Sequence, residues 1–377
     1  MLAGKKHGTV GVVCGTDVVE ITTFRTEGDY RDNRHPDWVA FVPDVAQDLA
    51  RRDFTVNAMA YSPARGYADP FGGREDLHKG ILRAVGDPET RFREDSLRIL
   101  RGLRFAARYR LTIEDATWQA MLTQAPLMEN LARERVFEEL CRLLPLITAE
   151  ELIRCAPILA AVIPELAPMI GFDQHSPHHA YDVFTHTARV VEAVPPELPL
   201  RWAALLHDVG KIPTFTRDET GRGHFYGHGE KSEEMADAIL RRLKAPTGLR
   251  ERAVLLIGRH MIRLLPDKKF LRRWLGRLGP EALEQLLYLQ MADMGSKGIC
   301  NPGETDQFLR VQELLEEIRQ ENSCLSLKDL AVRGNDLTQL GFTGKAVGDA
   351  LNLLLEQVMD EALPNEKQAL LQYLQNQ

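Results

Sequence analysis

Little in this chain points to a membrane, a secretory route or a disulfide framework. No run of about 18 apolar residues occurs in its 377 residues, so no membrane-spanning helix is expected. The opening MLAGKKHGTV has two lysines but no apolar stretch behind them, and no secretory signal peptide is expected. The five cysteines, Cys14, Cys141, Cys155, Cys300 and Cys324, are scattered and never in CxxC spacing. That argues against a disulfide scaffold and a structural zinc site, and predicts a reduced, cytoplasmic setting. Internal repeats and low-complexity tracts are absent, and acids are nearly missing from residues 1–19, which hold only Asp17. What is present is a 44% hydrophobic, 27% charged chain, long enough for roughly two to four domains with sizeable cores.

Charge is unevenly placed. The whole chain is −7, yet between residues 48 and 108 basic residues outnumber acidic ones, concentrating positive charge where a polyanion would need it. A helix expected to start near Arg93 carries Asp95, Arg98, Arg101, Arg104 and Arg108 at spacings of three and four, hence on one face. Leu97, Leu100, Leu103 and Ala107 form the neighbouring apolar stripe. A carboxylate and a guanidinium one turn apart match the Watson–Crick edges of cytosine and adenine. Asp95 would accept from the exocyclic amine and Arg98 would donate to a ring nitrogen or carbonyl. The plainer alternative is a solvated i,i+3 ion pair worth a few tenths of a kcal/mol.

Strand signals are confined to the front, in TVGVV, VVEITTF and WVAFV, with turn residues between them. After Asp76 nearly everything reads as helices separated by Pro or Gly breaks. The pattern is α+β: a small α/β head followed by an all-helical body. Breaks are expected near residue 83, near 150–175 and near 296–304.

RRDFTVNAM at 51–59, DPFGGREDL at 69–77 and REDSLRILRGLRFAAR at 93–108 together resemble the bacterial and eukaryotic class of tRNA nucleotidyltransferases, which add CCA to tRNA 3′ ends. KHGTV at 6–10, VEITTF at 19–24 and RERVFEEL at 133–140 fit in the same order. The resemblance implies a nucleotidyltransferase head over residues 1–83, a nucleotide- and RNA-binding neck over 84–150, CTP, ATP and tRNA as partners, and Mg²⁺ as cofactor. It implies that Arg52 and Asp53 handle the ribose and phosphates, that Asp95 and Arg98 read the base, and that Arg101 and Arg104 lie beside the nucleotide. Asn57 is a weaker candidate, since polar residues at a bend usually serve the backbone. Glu20 matches the family's third catalytic carboxylate; its alternative is an ordinary solvent-facing strand residue. One departure matters. The family carries a glycine-rich loop and two Asp separated by one residue ahead of KHGTV, and this chain has neither. The resemblance therefore implies a head shortened at its N-terminus and incapable of rapid transfer, because phosphoryl transfer needs metal ions held by paired carboxylates.

Eight of the eleven histidines fall between residues 175 and 260. His186, the adjacent pair His207 and Asp208, then His228, His260 and Asp293 follow the order of the HD superfamily of metal-dependent phosphohydrolases, which this region, 171–296, resembles. A single such histidine would more simply be a satisfied core residue. Six imidazole and carboxylate groups instead imply a divalent ion such as Mn²⁺, Ni²⁺ or Co²⁺. Lys211 is either a phosphate contact or a helix-terminal cation. The helical tail, 304–377, holds a GFTGK turn whose backbone N–H groups could meet tRNA phosphate, or simply start a helix. Three functions are therefore open: CCA addition by descent, hydrolysis of phosphomonoesters or 2′,3′-cyclic phosphates by the HD region, and non-catalytic RNA binding.

Overall fold

The computed structural model describes residues 9–28, 38–177, 179–298, 302–321 and 324–376. The chain opens with an antiparallel hairpin, Thr9–Cys14 against Asp17–Thr22, in which Cys14 pairs with Asp17 across the turn. Both its faces are open to solvent: Val12, Val13, Val18, Val19 and Ile21 are all exposed. A second short pair, Arg25–Glu27 with Val39–Phe41, leads into helix Val45–Ala50. Asp48 fastens the two together, accepting from the backbone N–H of Arg25 and from the guanidinium groups of Arg51 and Arg52.

Strand content does not stop at the front. A hairpin forms at Ala60–Ser62 and Gly66–Ala68, Ile81–Leu82 pairs in parallel with Thr112–Ile113, and Thr216–Arg217 pairs with Gly223–His224. These segments are two or three residues long, too short for a periodic signal. The neck helix also differs from expectation. It is not continuous from Arg93: one helix, Pro88–Glu94, ends at Asp95, whose backbone is extended (φ −143°, ψ 100°), and a second runs Leu97–Tyr109. The Asp95 carboxylate accepts from the Leu97 N–H at 3.1 Å, satisfying the first free N–H of the next helix, whose N-cap position is Ser96. Leu97, Leu100, Leu103 and Ala107 are buried as the apolar stripe predicts.

One hydrophobic core runs without interruption from Phe54 to Ile318. The break expected near 150–175 interrupts helices but not packing: Leu152, Cys155, Ile158, Leu159, Val162, Ile163, Leu166 and Met169 are all buried in it. The same is true near 296–304, because the following helix, Pro302–Gln320, adds Val311, Leu314 and Ile318 to that core. A separate tail core begins later, around Leu330, Val332, Leu337, Ala350, Leu354, Leu370 and Leu374. It meets the body through Arg273 with Asp360 and Arg272 with Glu361.

The DPFGG motif has a packing reason. A Cβ on Gly73 would lie 2.1 Å from the Thr55 carbonyl oxygen, so only glycine lets helix Gly73–Lys79 sit on the Thr55–Asn57 turn. Gly73→Ala is expected to lower stability by about 1–3 kcal/mol through overpacking, read as a drop in Tm. Gly348→Ala, on an open face of helix Lys345–Met359, should instead raise Tm slightly by helix propensity. Equal effects of the two would refute the packing argument.

Candidate nucleotide pocket and metal centre

Three segments of the head and neck converge on a cavity of about 460 Å³ lined by Arg51, Arg52, Asp53, Asn57, Asp95, Arg98, Arg101, Phe105 and Arg135. Five guanidinium groups face two carboxylates, a balance suited to a polyphosphate. Asp53 is buried and organises the wall. Its Oδ2 takes two bonds from Arg101, at 2.9 and 2.6 Å, and its Oδ1 accepts from the Phe54 N–H and from Asn57. Asn57 thus holds Asp53 in place while also lining the cavity.

Asp95 and Arg98 both line the cavity but do not pair with each other. Arg98 donates to Glu94 at 2.6 Å and to the carbonyls of Arg91 and Arg51. Asp95 accepts from Arg135 at 3.1 Å, 40 residues further along the chain. The simple i,i+3 surface pair is therefore replaced by a wall in which each group has its own partner. Arg104 is not among the lining residues. It is buried in a 2.6 Å ion pair with Glu139, and its guanidinium lies over the Phe105 ring that lines the cavity. Glu20 stays on the first hairpin, opposite Gly11, exposed and outside the cavity lining. Arg51, Phe105 and Arg135 were not singled out from sequence. Only the need of Asp95 for a cationic partner hinted at Arg135.

The second site is built from helix ends. Helix Val183–Ala193 presents His186 in its first turn, where Asp182 caps it by accepting from the N–H groups of Phe184 and Thr185. Helix Leu198–Leu206 ends at His207, followed by Asp208. His228 opens helix His228–Arg242, His260 follows helix Thr247–Arg259, and Asp293 lies near the end of helix Pro280–Gly295. The structure brings all six predicted residues together. His186 Nε2 lies 3.0 Å from Asp293 and 3.5 Å from Asp208; His207 Nε2 lies 3.2 Å from Asp208 and His228 Nε2 3.7 Å. The His260 ring packs 5.4 Å from that of His207 and 5.3 Å from that of His228.

Each of the four histidines turns Nδ1 to a backbone carbonyl: Ser296, Ala204, Phe225 and Ile257 respectively. A carbonyl can only accept, so the proton sits on Nδ1 and the Nε2 lone pair faces inward. The Nε2 atoms of His186 and His207 are buried without a hydrogen-bond partner. Buried polar atoms are almost always satisfied, and this donor set fits a divalent cation. The donors fall into two groups, His186, His207 and Asp208, and Asp208, His228 and His260, with Asp208 common to both. Lys211 lies buried beside it, 2.8 Å from Asp208 and donating to Gln174 at 2.9 Å.

Burial opposes a charge on either partner, but Asp208 raises the His207 pKa, and His207 with Lys211 holds the Asp208 carboxyl well below the carboxylate range. Burial pushes three further rings the opposite way, His260 down to about 4, His179 to about 3, and His228 also downward. His179 lines the same cavity and its Nδ1 is buried without a partner. The HHAYDVF stretch contains it, but nothing in the spacing distinguished it from His175 or His178.

Head, basic pocket and histidine-lined centre together define the class: a nucleotidyltransferase body joined to an HD domain. Residues 1–83 match the Poly A polymerase head domain, 110–170 the "Probable RNA and SrmB-binding site of polymerase A", 178–294 the HD domain, and 281–374 the "tRNA nucleotidyltransferase domain 2 putative". The chain is 31% identical over 373 residues to the CCA-adding enzyme of Bacillus velezensis, covering 98% of this chain and 83% of that protein. It is 36% identical over 346 residues to the A-adding tRNA nucleotidyltransferase of Deinococcus radiodurans, covering 85% and 76%. The crystal structure of the Bacillus stearothermophilus CCA-adding enzyme in complex with CTP superimposes with a TM-score of 0.71 at 26% identity, over 100% of this chain and 83% of that one. The chain belongs to the family of CCA-adding tRNA nucleotidyltransferases. Among the described residues no helix is long and apolar enough to cross a membrane.

The pKa directions give a pH prediction for the chelated protein. Folded His179, His228 and His260 stay neutral where an unfolded imidazole, with pKa near 6.5, takes up protons. The unfolded chain therefore binds more protons in the window from about 6.5 down to about 4. Stability is full above that window and is lost as pH falls through it; His207, shifted upward, opposes as one group against three. In EDTA the urea midpoint should be lower at pH 5 than at pH 7.5, and an equal or higher midpoint would contradict the burial of neutral rings.

Proposed function

We propose that the head and neck bind CTP, ATP and tRNA for 3′-terminal CCA addition, with Mg²⁺ as the transfer cofactor. The observation that carries this reading is the cavity in which Asp95, Arg98 and Arg101 face Arg52 and Asp53. Asp95, oriented by Arg135, accepts from the exocyclic amine of cytosine or adenine and repels the carbonyls of guanine and uracil. The remaining guanidinium groups neutralise phosphate. Arg104 acts at one remove, holding the neck to Glu139 behind Phe105. The transfer step itself requires carboxylates that hold metal ions at the reacting oxygens. Glu20, on an exposed hairpin, is the residue of the head that matches such a carboxylate.

Calorimetric binding should favour CTP and ATP over UTP and GTP, and Asp95→Ala should erase the preference, since a charge-assisted hydrogen bond contributes about 1.5–3 kcal/mol. Unchanged selectivity would leave Asp95 with only its bonds to Leu97 and Arg135.

The HD domain supports a second reading, carried by the unpartnered Nε2 atoms, that it hydrolyses phosphomonoesters or 2′,3′-cyclic phosphates. The shared Asp208 suits two ions of the Mn²⁺, Ni²⁺ or Co²⁺ kind, and the separated cysteines suit a reducing cytoplasm. A divalent ion here would activate water and offset charge on the phosphoester. The protein orients the imidazoles through their Nδ1–carbonyl bonds, and Lys211 brings positive charge to the phosphoryl group. Hydrolysis should appear with Mn²⁺, Ni²⁺ or Co²⁺ and vanish with EDTA or in the His207→Ala, Asp208→Ala double variant. A double variant as active as the parent would reduce the histidine cluster to a structural role.

A further inference from the structure

The cavity over the HD centre has a mouth that metal binding does not explain. Its volume is about 550 Å³, within the range of pockets that enclose small-molecule ligands. Asp208, His228, His260 and Asp293 line one side, and His224 and Tyr226 another. The His224 and Tyr226 rings stack 6° from coplanar with centroids 5.3 Å apart, and 77% of Tyr226 is exposed.

This aromatic pair is fixed relative to the metal ligands. His224 Nε2 lies 2.7 Å from the Asp218 carboxylate, which also accepts from the backbone N–H groups of Thr220 and Arg222 and from the Thr220 hydroxyl. Those bonds hold Asp218 far below the usual carboxylate range. The hairpin carrying the pair is docked by Gly223, where a Cβ would come within 2.3 Å of the Gln174 carbonyl oxygen. Gly223 also donates its N–H to the His175 carbonyl at 2.9 Å. The Gln174 side chain in turn holds Lys211, which contacts Asp208. A continuous run of close contacts thus sets the distance from an exposed ring face to the Asp208 end of the cavity.

We propose that Tyr226, backed by His224, is a stacking platform for the nucleobase of the HD substrate. The site then selects a base-bearing phosphoester, whether a free nucleotide or the 3′-terminal nucleotide of an RNA, over a phosphate without a base. This rests on the HD hydrolase reading above. Every base has a π-face, so such a platform binds without regard to sequence. Holding the ring in place beforehand lowers the ordering cost of binding. The alternative role of the stack, an i,i+2 pair that only stiffens the turn after its hairpin, leaves substrate preference untouched.

The test compares 3′-AMP with glycerol 2-phosphate as substrates of the full chain in Mn²⁺. Tyr226→Ala should raise KM for 3′-AMP about tenfold, the order expected for one base–aromatic stack, with KM for glycerol 2-phosphate and both kcat values retained. Tyr226→Phe should restore the parent KM. The same penalty on a short RNA bearing a 3′-phosphate identifies the RNA end as the ligand, and a penalty confined to 3′-AMP identifies the free nucleotide. Calorimetric binding of 3′-AMP to metal-free protein supplies a readout independent of turnover, and it too should weaken in Tyr226→Ala. Equal KM changes on both substrates, or none, overturn the platform. If neither substrate is hydrolysed the HD hydrolase reading fails, and the calorimetric arm alone still decides the platform.

Discussion

A carboxylate taken out of water must find charge or hydrogen bonds nearby, and Asp208 is almost wholly buried. An uncompensated charge in that position would cost several kcal/mol. The compensation comes from Lys211, His186, His207 and His228, which approach from separate helices, and each approach fixes where a helix begins or ends. His207 and His260 follow helix C-termini, His228 starts a helix, and His186 lies in a capped first turn. The electrostatic need of one side chain thus sets the convergence of the surrounding helices. The carbonyls of Ser296, Ala204, Phe225 and Ile257, beside those ends, are what orient the imidazoles.

The neck solves a different problem with the same chemistry. A row of arginines on one helix would repel itself if every member faced one cavity. The structure distributes them instead: Arg98 to Glu94, Arg101 to Asp53, Arg104 to Glu139. The first two keep contact with the cavity, and the third braces the helix that supplies Arg135. Positive potential is retained at the pocket while the individual guanidinium groups are oriented, which lets a site favour one charged ligand geometry over another.

Much of this was legible in the residues, and what was not has physical reasons. The apolar stripe of Leu97, Leu100, Leu103 and Ala107 is a short-range periodicity, and such patterns survive folding. The break at Asp95 was not legible, because spacings of three and four look the same in one helix as in two helices joined by an extended Asp95. Arg135 lies 40 residues from the carboxylate it meets, beyond any local pattern. The order of His186, His207, Asp208, His228, His260 and Asp293 pointed to a shared centre, but the Nδ1–carbonyl bonds that aim them exist only once the helix ends are in place. Breaks at Pro and Gly marked ends of helices correctly but did not mark the boundary of the core, because packing continues across a turn when both flanking helices bury the same face. The boundary lies instead between Ile318 and Leu330.

That unbroken core from Phe54 to Ile318 makes the two centres thermodynamic neighbours. A ligand that binds only the folded state stabilises everything that must unfold with its site. An ion taken up at the HD centre would therefore support the neck that lines the arginine-rich cavity, although no residue lines both. The tail, with its own core, stands outside that support and meets the body through the Arg272 and Arg273 ion pairs and through Met359 beside Gly276. In this chain the HD centre can be retained as a fastening for the neck, whatever chemistry it also performs.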